Sequence, residues 1–76
     1  MAFKIEDFLP IDVTIKKESV GPGETFFVIE SINYNLVAQG KSLQEAMERF
    51  YLTLFNAIAL SNRYGTLAAN LFPKNS

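Results

Sequence analysis

Acid–base or metal chemistry in this chain would have to run on carboxylates. It has no His and no Cys, which removes the commonest general base, thiolate nucleophiles, Ser-His and Cys-His pairs and most zinc ligand sets. The acids are Glu6, Asp7, Asp12, Glu18, Glu24, Glu30, Glu45 and Glu48. No spacing among them matches a loop of oxygen ligands for calcium. A carboxylate enzyme would be built on Asp12, Glu24 or Glu30, yet Glu24 and Glu30 fall near opposite ends of one expected strand and cannot meet. Catalytic acids and bases must converge in surroundings that perturb them. The expectation is a protein that is not an enzyme, with no metal and no cofactor.

Other polar groups suggest binding at most. Seven Lys and Arg against eight Asp and Glu leave a net charge of −1, so there is no basic field of the kind that neutralises phosphates. Nucleic acid is not an expected partner. Lys16, Lys17 and Lys41 are the bases that could converge, and mixed surfaces carry such charges without a ligand. The glycines Gly21 and Gly23, in Val20-Gly21-Pro22-Gly23, let a ligand approach the backbone; with Tyr34 they could line a site for a small anionic, nucleotide-like molecule in an oligomer. A plain turn explains the same residues. The acids of Met1-Ala2-Phe3-Lys4-Ile5-Glu6-Asp7 do not suit a signal peptide, and the apolar run from Phe50 to Leu60 is too short to span a bilayer. Without cysteines to staple a small secreted domain, a cytoplasmic setting is expected.

The elements that position these groups read clearly. Ile11 to Lys17 alternates, with Ile11, Val13 and Ile15 on one face and Asp12, Thr14 and Lys16 on the other, which is a half-buried strand. A loop is expected over Glu18–Glu24. A second strand spans Thr25 to Ser31; its centre, Phe26-Phe27-Val28-Ile29, is apolar on both faces and reads as the middle strand. Ile32-Asn33-Tyr34-Asn35 turns into a short third strand, Leu36 to Gln39. Short connections favour an antiparallel meander.

The corner that follows is the sharpest local signal. In Val37-Ala38-Gln39-Gly40-Lys41-Ser42-Leu43-Gln44-Glu45-Ala46, a strand ends on glycine and a helix begins with a capping box, Ser42 with Glu45. The helix is expected to reach Ser61 or Asn62, about 30 Å. Leu43, Ala46, Met47, Phe50, Leu54, Ala57 and Ile58 form one stripe for the sheet. Tyr51 and Phe55 flank it, whereas Leu52 and Leu60 point nearly opposite. Gly65 suits a left-handed stop, after which Thr66 could cap a short helix through Leu67 and Leu71, closed by Pro73. The first ten residues allow either a strand at Phe3-Lys4-Ile5 or a helical turn from Ile5 to Leu9. The expected fold is α+β: one domain over residues 1–76, a three-stranded antiparallel meander with one long α-helix across it, plus a short C-terminal helix or arm.

From Ile11 to about Ile58 the sequence resembles the HicB-like antitoxin domain. That family reads as strand, hairpin, a second strand ending in an acid, a third strand, then Gln-Gly-x-Ser/Thr-x-x-Glu-Ala opening a long amphipathic helix. Here these are Glu30 and Gln39-Gly40-Lys41-Ser42-Leu43-Gln44-Glu45-Ala46. The resemblance implies a reduced ribonuclease H layout without its acidic metal site, self-association, and inhibition of a small mRNA-cleaving toxin by covering it. The C-terminal DNA-binding module of many such antitoxins has no counterpart in the fifteen or so residues after the helix. Double-stranded RNA-binding domains are similar in element order, but the lysine cluster at their last helix is replaced here by Lys41-Ser42-Leu43-Gln44-Glu45.

Ten Phe and Tyr residues are a heavy apolar load for 76 residues. The expectation is a non-catalytic binding or inhibitory protein that forms a homodimer or higher oligomer and blocks a partner such as a small toxin. Its interface candidates are Tyr51, Leu52, Phe55, Leu67, Leu71 and Phe72. Alternatives are a stand-alone oligomeric inhibitor that sequesters the anionic ligand, and a double-stranded-RNA-binding-like domain.

Overall fold

The computed structural model describes residues 2–74. Three strands, β1 (Val13–Gly21), β2 (Glu24–Ser31) and β3 (Val37–Gly40), form an antiparallel sheet in the order β1-β2-β3. One helix, α1 (Leu43–Tyr64), crosses the sheet, so the chain is an α+β fold with a meander followed by a long helix. Among the described residues no helix is long and apolar enough to cross a membrane.

The β1–β2 hairpin is longer than its sequence suggests. Strand pairing runs on through Ser19↔Thr25 to Gly21↔Glu24, so the loop expected over Glu18–Glu24 shrinks to Pro22-Gly23. Proline at the second turn position and Gly23 at φ 76° suit a type II turn. Val20 is the extra residue of a bulge, which shifts the register by one and lets strand pairing run to the turn through a composition that reads as a loop.

The helix lies over β3 and β2 and leaves β1 at the side. Ile29 and Ser31 of β2 are fully buried under it, and Phe27 packs against the same core. Ile15 pairs with Ile29 on the same sheet face, yet it is half exposed because α1 does not reach it. On the helix side, Ala46, Phe50, Leu54, Ala57 and Ile58 are buried. Leu43, expected in this stripe, sits at the helix start and stays exposed.

Gly40 makes the strand-to-helix corner possible. A Cβ there would lie 2.6 Å from the Ala46 backbone nitrogen and 2.9 Å from Glu45, so only glycine lets the strand end pass this close to the first helical turn. The Ser42 hydroxyl accepts the Glu45 N–H at 3.1 Å. Glu45 Oε1 accepts from the Lys41 N–H at 3.0 Å, one residue upstream of the Ser42 N–H expected from a capping box. Gly65 closes the helix at φ 70°.

The segments at both ends of the described residues pack on the rest of the chain. At the N-terminus the helical-turn alternative holds, as a 3₁₀ turn over Ile5–Phe8. Phe8 is buried, edge-to-face with Tyr34 at 5.8 Å. Asn62 ties this segment to the far end of α1: its side-chain carbonyl accepts the Phe3 N–H, and its amide donates to the Phe3 carbonyl at 3.0 Å.

The expected C-terminal helix is a single 3₁₀ turn, Ala69–Leu71, and Thr66 does not cap it, since the turn starts after Ala68. A buried serine explains the change. Ser61 Oγ donates to the Ala57 carbonyl and accepts the Ala68 N–H, both at 2.8 Å, which holds residue 68 against α1 in extended geometry. Beyond it, Asn35 N–H donates to the Asn70 carbonyl and Lys74 N–H to the Asn33 carbonyl, stitching the arm to the β2–β3 connection.

Candidate interface

A capped helix start and two tied termini leave one side of α1 open. Tyr51, Leu52 and Phe55 are 45%, 58% and 51% exposed; Tyr51 and Phe55 flank the buried stripe of α1 and Leu52 points nearly away from it. The Tyr51 ring is held edge-on to buried Phe50, with centroids 6.2 Å apart, so its outer surface is presented rather than folded away. Fully burying such a side chain gives roughly 1.5–3 kcal/mol, and about half of that is still unrealised at each position.

Beside Tyr51 runs an open apolar trough of about 550 Å³ between β1 and α1, lined by Leu9, Pro10, Ile11, Val13 and Met47. Ile11 and Met47 were expected as core, and the trough exists because α1 covers β2 and β3 and stops short of β1.

The remaining interface candidates divide. Leu71 is fully buried in its own core, which corrects the expectation that it reaches a neighbour: the 3₁₀ turn directs it inward, against α1. Leu67 is half buried and packs on the same core. Phe72 is exposed, but it belongs to the arm beside the β2–β3 connection, where its carbonyl accepts from the Asn35 side chain at 3.2 Å.

The candidate chemistry does not converge within one chain. Gly21 and Gly23 form the hairpin tip, whereas Tyr34 follows the other end of β2 and packs on Phe8. Eight residues of strand separate them, about 26 Å. Glu24 and Glu30 sit at the two ends of the same strand, and Glu30 pairs with Lys74 at 3.2 Å. Asp12 is exposed beside the β2–β3 connection, its carbonyl accepting the Ile32 N–H. Among the described residues no group of three or more acids is placed to hold a metal ion. Lys16 and Lys17, adjacent in β1, point to opposite sheet faces, so the three lysines do not converge on one face of the sheet.

A second cleft, about 640 Å³, lies between the hairpin and the start of α1 and includes Lys41, Glu45 and Arg49. Two of its charges are engaged with each other and with β3: Arg49 donates to the Gln39 carbonyl at 3.1 Å and pairs with Glu45 at 3.5 Å. Comparison with family models, curated proteins and solved structures finds no match to this chain.

Proposed function

We propose that this chain is a non-catalytic binding protein of the HicB-like antitoxin type, which self-associates and inhibits a partner protein by covering it. The observation that carries the reading is the contiguous half-exposed surface of Tyr51, Leu52 and Phe55 on α1, continued by the trough at Leu9 and Met47. Solvent-exposed apolar surface of this continuity marks interaction sites in small proteins. Buried aromatics dominate such contacts, so Tyr51 and Phe55 are the energetic anchors. The Gln39-Gly40-Lys41-Ser42 corner and the strand order support the family resemblance, while the scattered carboxylates favour a surface-based role over catalysis.

Expression of the chain with and without the product of the reading frame adjoining its gene, in cells whose growth is followed, tests the inhibitory role. The expected result is a toxic neighbour whose effect is relieved by this chain and lost again with Tyr51→Asp. A toxic neighbour that is not relieved, or a harmless one, overturns the antitoxin assignment.

A further inference from the structure

Self-association requires a geometry, and α1 carries one. Along its open flank Glu48, Leu52, Phe55, Ala59 and Asn62 follow at steps of four, three, four and three residues, and all five are exposed. That is the spacing of a seam between two packed helices. It covers about 21 Å of helix, with apolar residues in the middle and polar ones at both ends.

The seam is complementary to itself only when reversed. Antiparallel pairing about an axis at Phe55 sets each Phe55 against its symmetry mate, large Leu52 against small Ala59, and Glu48 beside Arg63. Parallel pairing instead sets Leu52 on Leu52, leaves a gap at Ala59, and faces Glu48 with Glu48. Among the described residues the intrachain ion pairs are Arg49–Glu45 and Lys74–Glu30; Glu48 accepts only the neutral Gln44 amide and Arg63 lies over the Tyr64 ring, so neither charge is neutralised within the chain. Asn62 is turned toward Phe3, which leaves Arg63 as the polar partner at that end. Antiparallel helices also bring opposite dipole ends together.

We infer that α1 packs antiparallel on α1 of a second copy, about a two-fold axis at Phe55. This deepens the self-association reading and rests on it. The contact is isologous, so each substitution acts twice. Residues 3–11 run beside it as a rim, tied at Asn62 and lining the trough near Tyr51.

Sedimentation velocity on the full chain and its variants, from 1 to about 100 µM, is the test. The wild type is expected to dimerise, with Phe55→Asp weakening the dimer about 100-fold or more. Glu48→Lys and Arg63→Glu singly weaken it about 5- to 30-fold, from loss of two exposed pairs and gain of two repulsions, and the double variant recovers most of the affinity. Circular dichroism confirms that each variant is folded, which these exposed positions permit. A wild-type monomer across the range overturns both the reading and the inference. A dimer indifferent to Phe55→Asp, or one that the charge swap does not restore, overturns the antiparallel geometry and leaves self-association standing.

Discussion

Replacing Gly40 with alanine tests the corner on which the whole arrangement of helix and sheet depends. The added Cβ would meet the Ala46 backbone nitrogen at 2.6 Å and the Glu45 backbone carbon at 2.9 Å, and neither atom is the tip of a flexible side chain. Relief therefore requires the first turn of α1 to back away from β3 by about 1 Å, loosening Ala46, which is fully buried. Overpacking of this kind costs about 1–3 kcal/mol. Alanine restricts the unfolded chain, which returns about 0.4–1 kcal/mol where the native conformation is unstrained. The expected net loss is about 1–2 kcal/mol, or roughly a 5–15 °C fall in Tm for a domain of this size. Gly21→Ala is the control, because a Cβ there meets nothing within 4 Å, and its Tm should be unchanged or slightly higher. Thermal unfolding by circular dichroism reads both. If Gly40→Ala melts within about 1 °C of wild type, or if Gly21→Ala loses as much, close approach is not why glycine stands at this corner.

Two further substitutions examine the C-terminal arm. Ser61→Ala removes the acceptor for the Ala68 N–H in a buried site and should cost about 1–3 kcal/mol in urea unfolding, whereas Thr53→Ala, whose hydroxyl makes a like bond to the Arg49 carbonyl near the surface, should stay within about 0.5 kcal/mol. Leu71→Ala empties a fully buried position, with an expected loss of about 2–5 kcal/mol. Hydrogen exchange should then accelerate first at Asn35, whose N–H is held by the Asn70 carbonyl; unchanged protection there would detach the arm from the core's stability.

The helix, its caps and the middle strand were legible because each has a local cause: a 3.6-residue stripe, Ser42 before Glu45, Gly65 at the stop, and a strand apolar on both faces. What was not legible has non-local causes. The hairpin outlasts its turn-forming residues because a bulge at Val20 shifts the register by one and carries pairing on to Gly21↔Glu24. Leu71 looked like one half of a free apolar face, yet a hydroxyl ten residues earlier, Ser61, pins residue 68 and turns Leu71 inward. The trough at Leu9–Val13 depends on which strands the helix covers, a tertiary offset that periodicity does not encode. At the proposed interface the helical spacing of Tyr51, Leu52 and Phe55 is readable in the sequence, but Ala59, Glu48 and Arg63 acquire meaning only once the structure shows which flank of α1 its own chain leaves exposed.

The proposed self-association would be linked to stability in this chain. A three-stranded sheet covers little more than one side of a helix, and here α1 is offset from β1, so Leu52 and Phe55 stay half exposed even after both termini have been folded against the core. If a second copy covers them, folding is coupled to dimerisation and the melting temperature must depend on concentration. For a dimer that unfolds to two chains, each tenfold rise in concentration above the dissociation constant adds about 0.7 kcal/mol per chain, half of the tenfold increment. At this size that corresponds to about 3–6 °C. Differential scanning calorimetry over two decades of concentration should show the rise for wild type and a flat line for Phe55→Asp. A wild-type Tm that ignores concentration while sedimentation reports a dimer would place the contact outside the folding unit, on a surface that contributes nothing to holding α1 against its sheet.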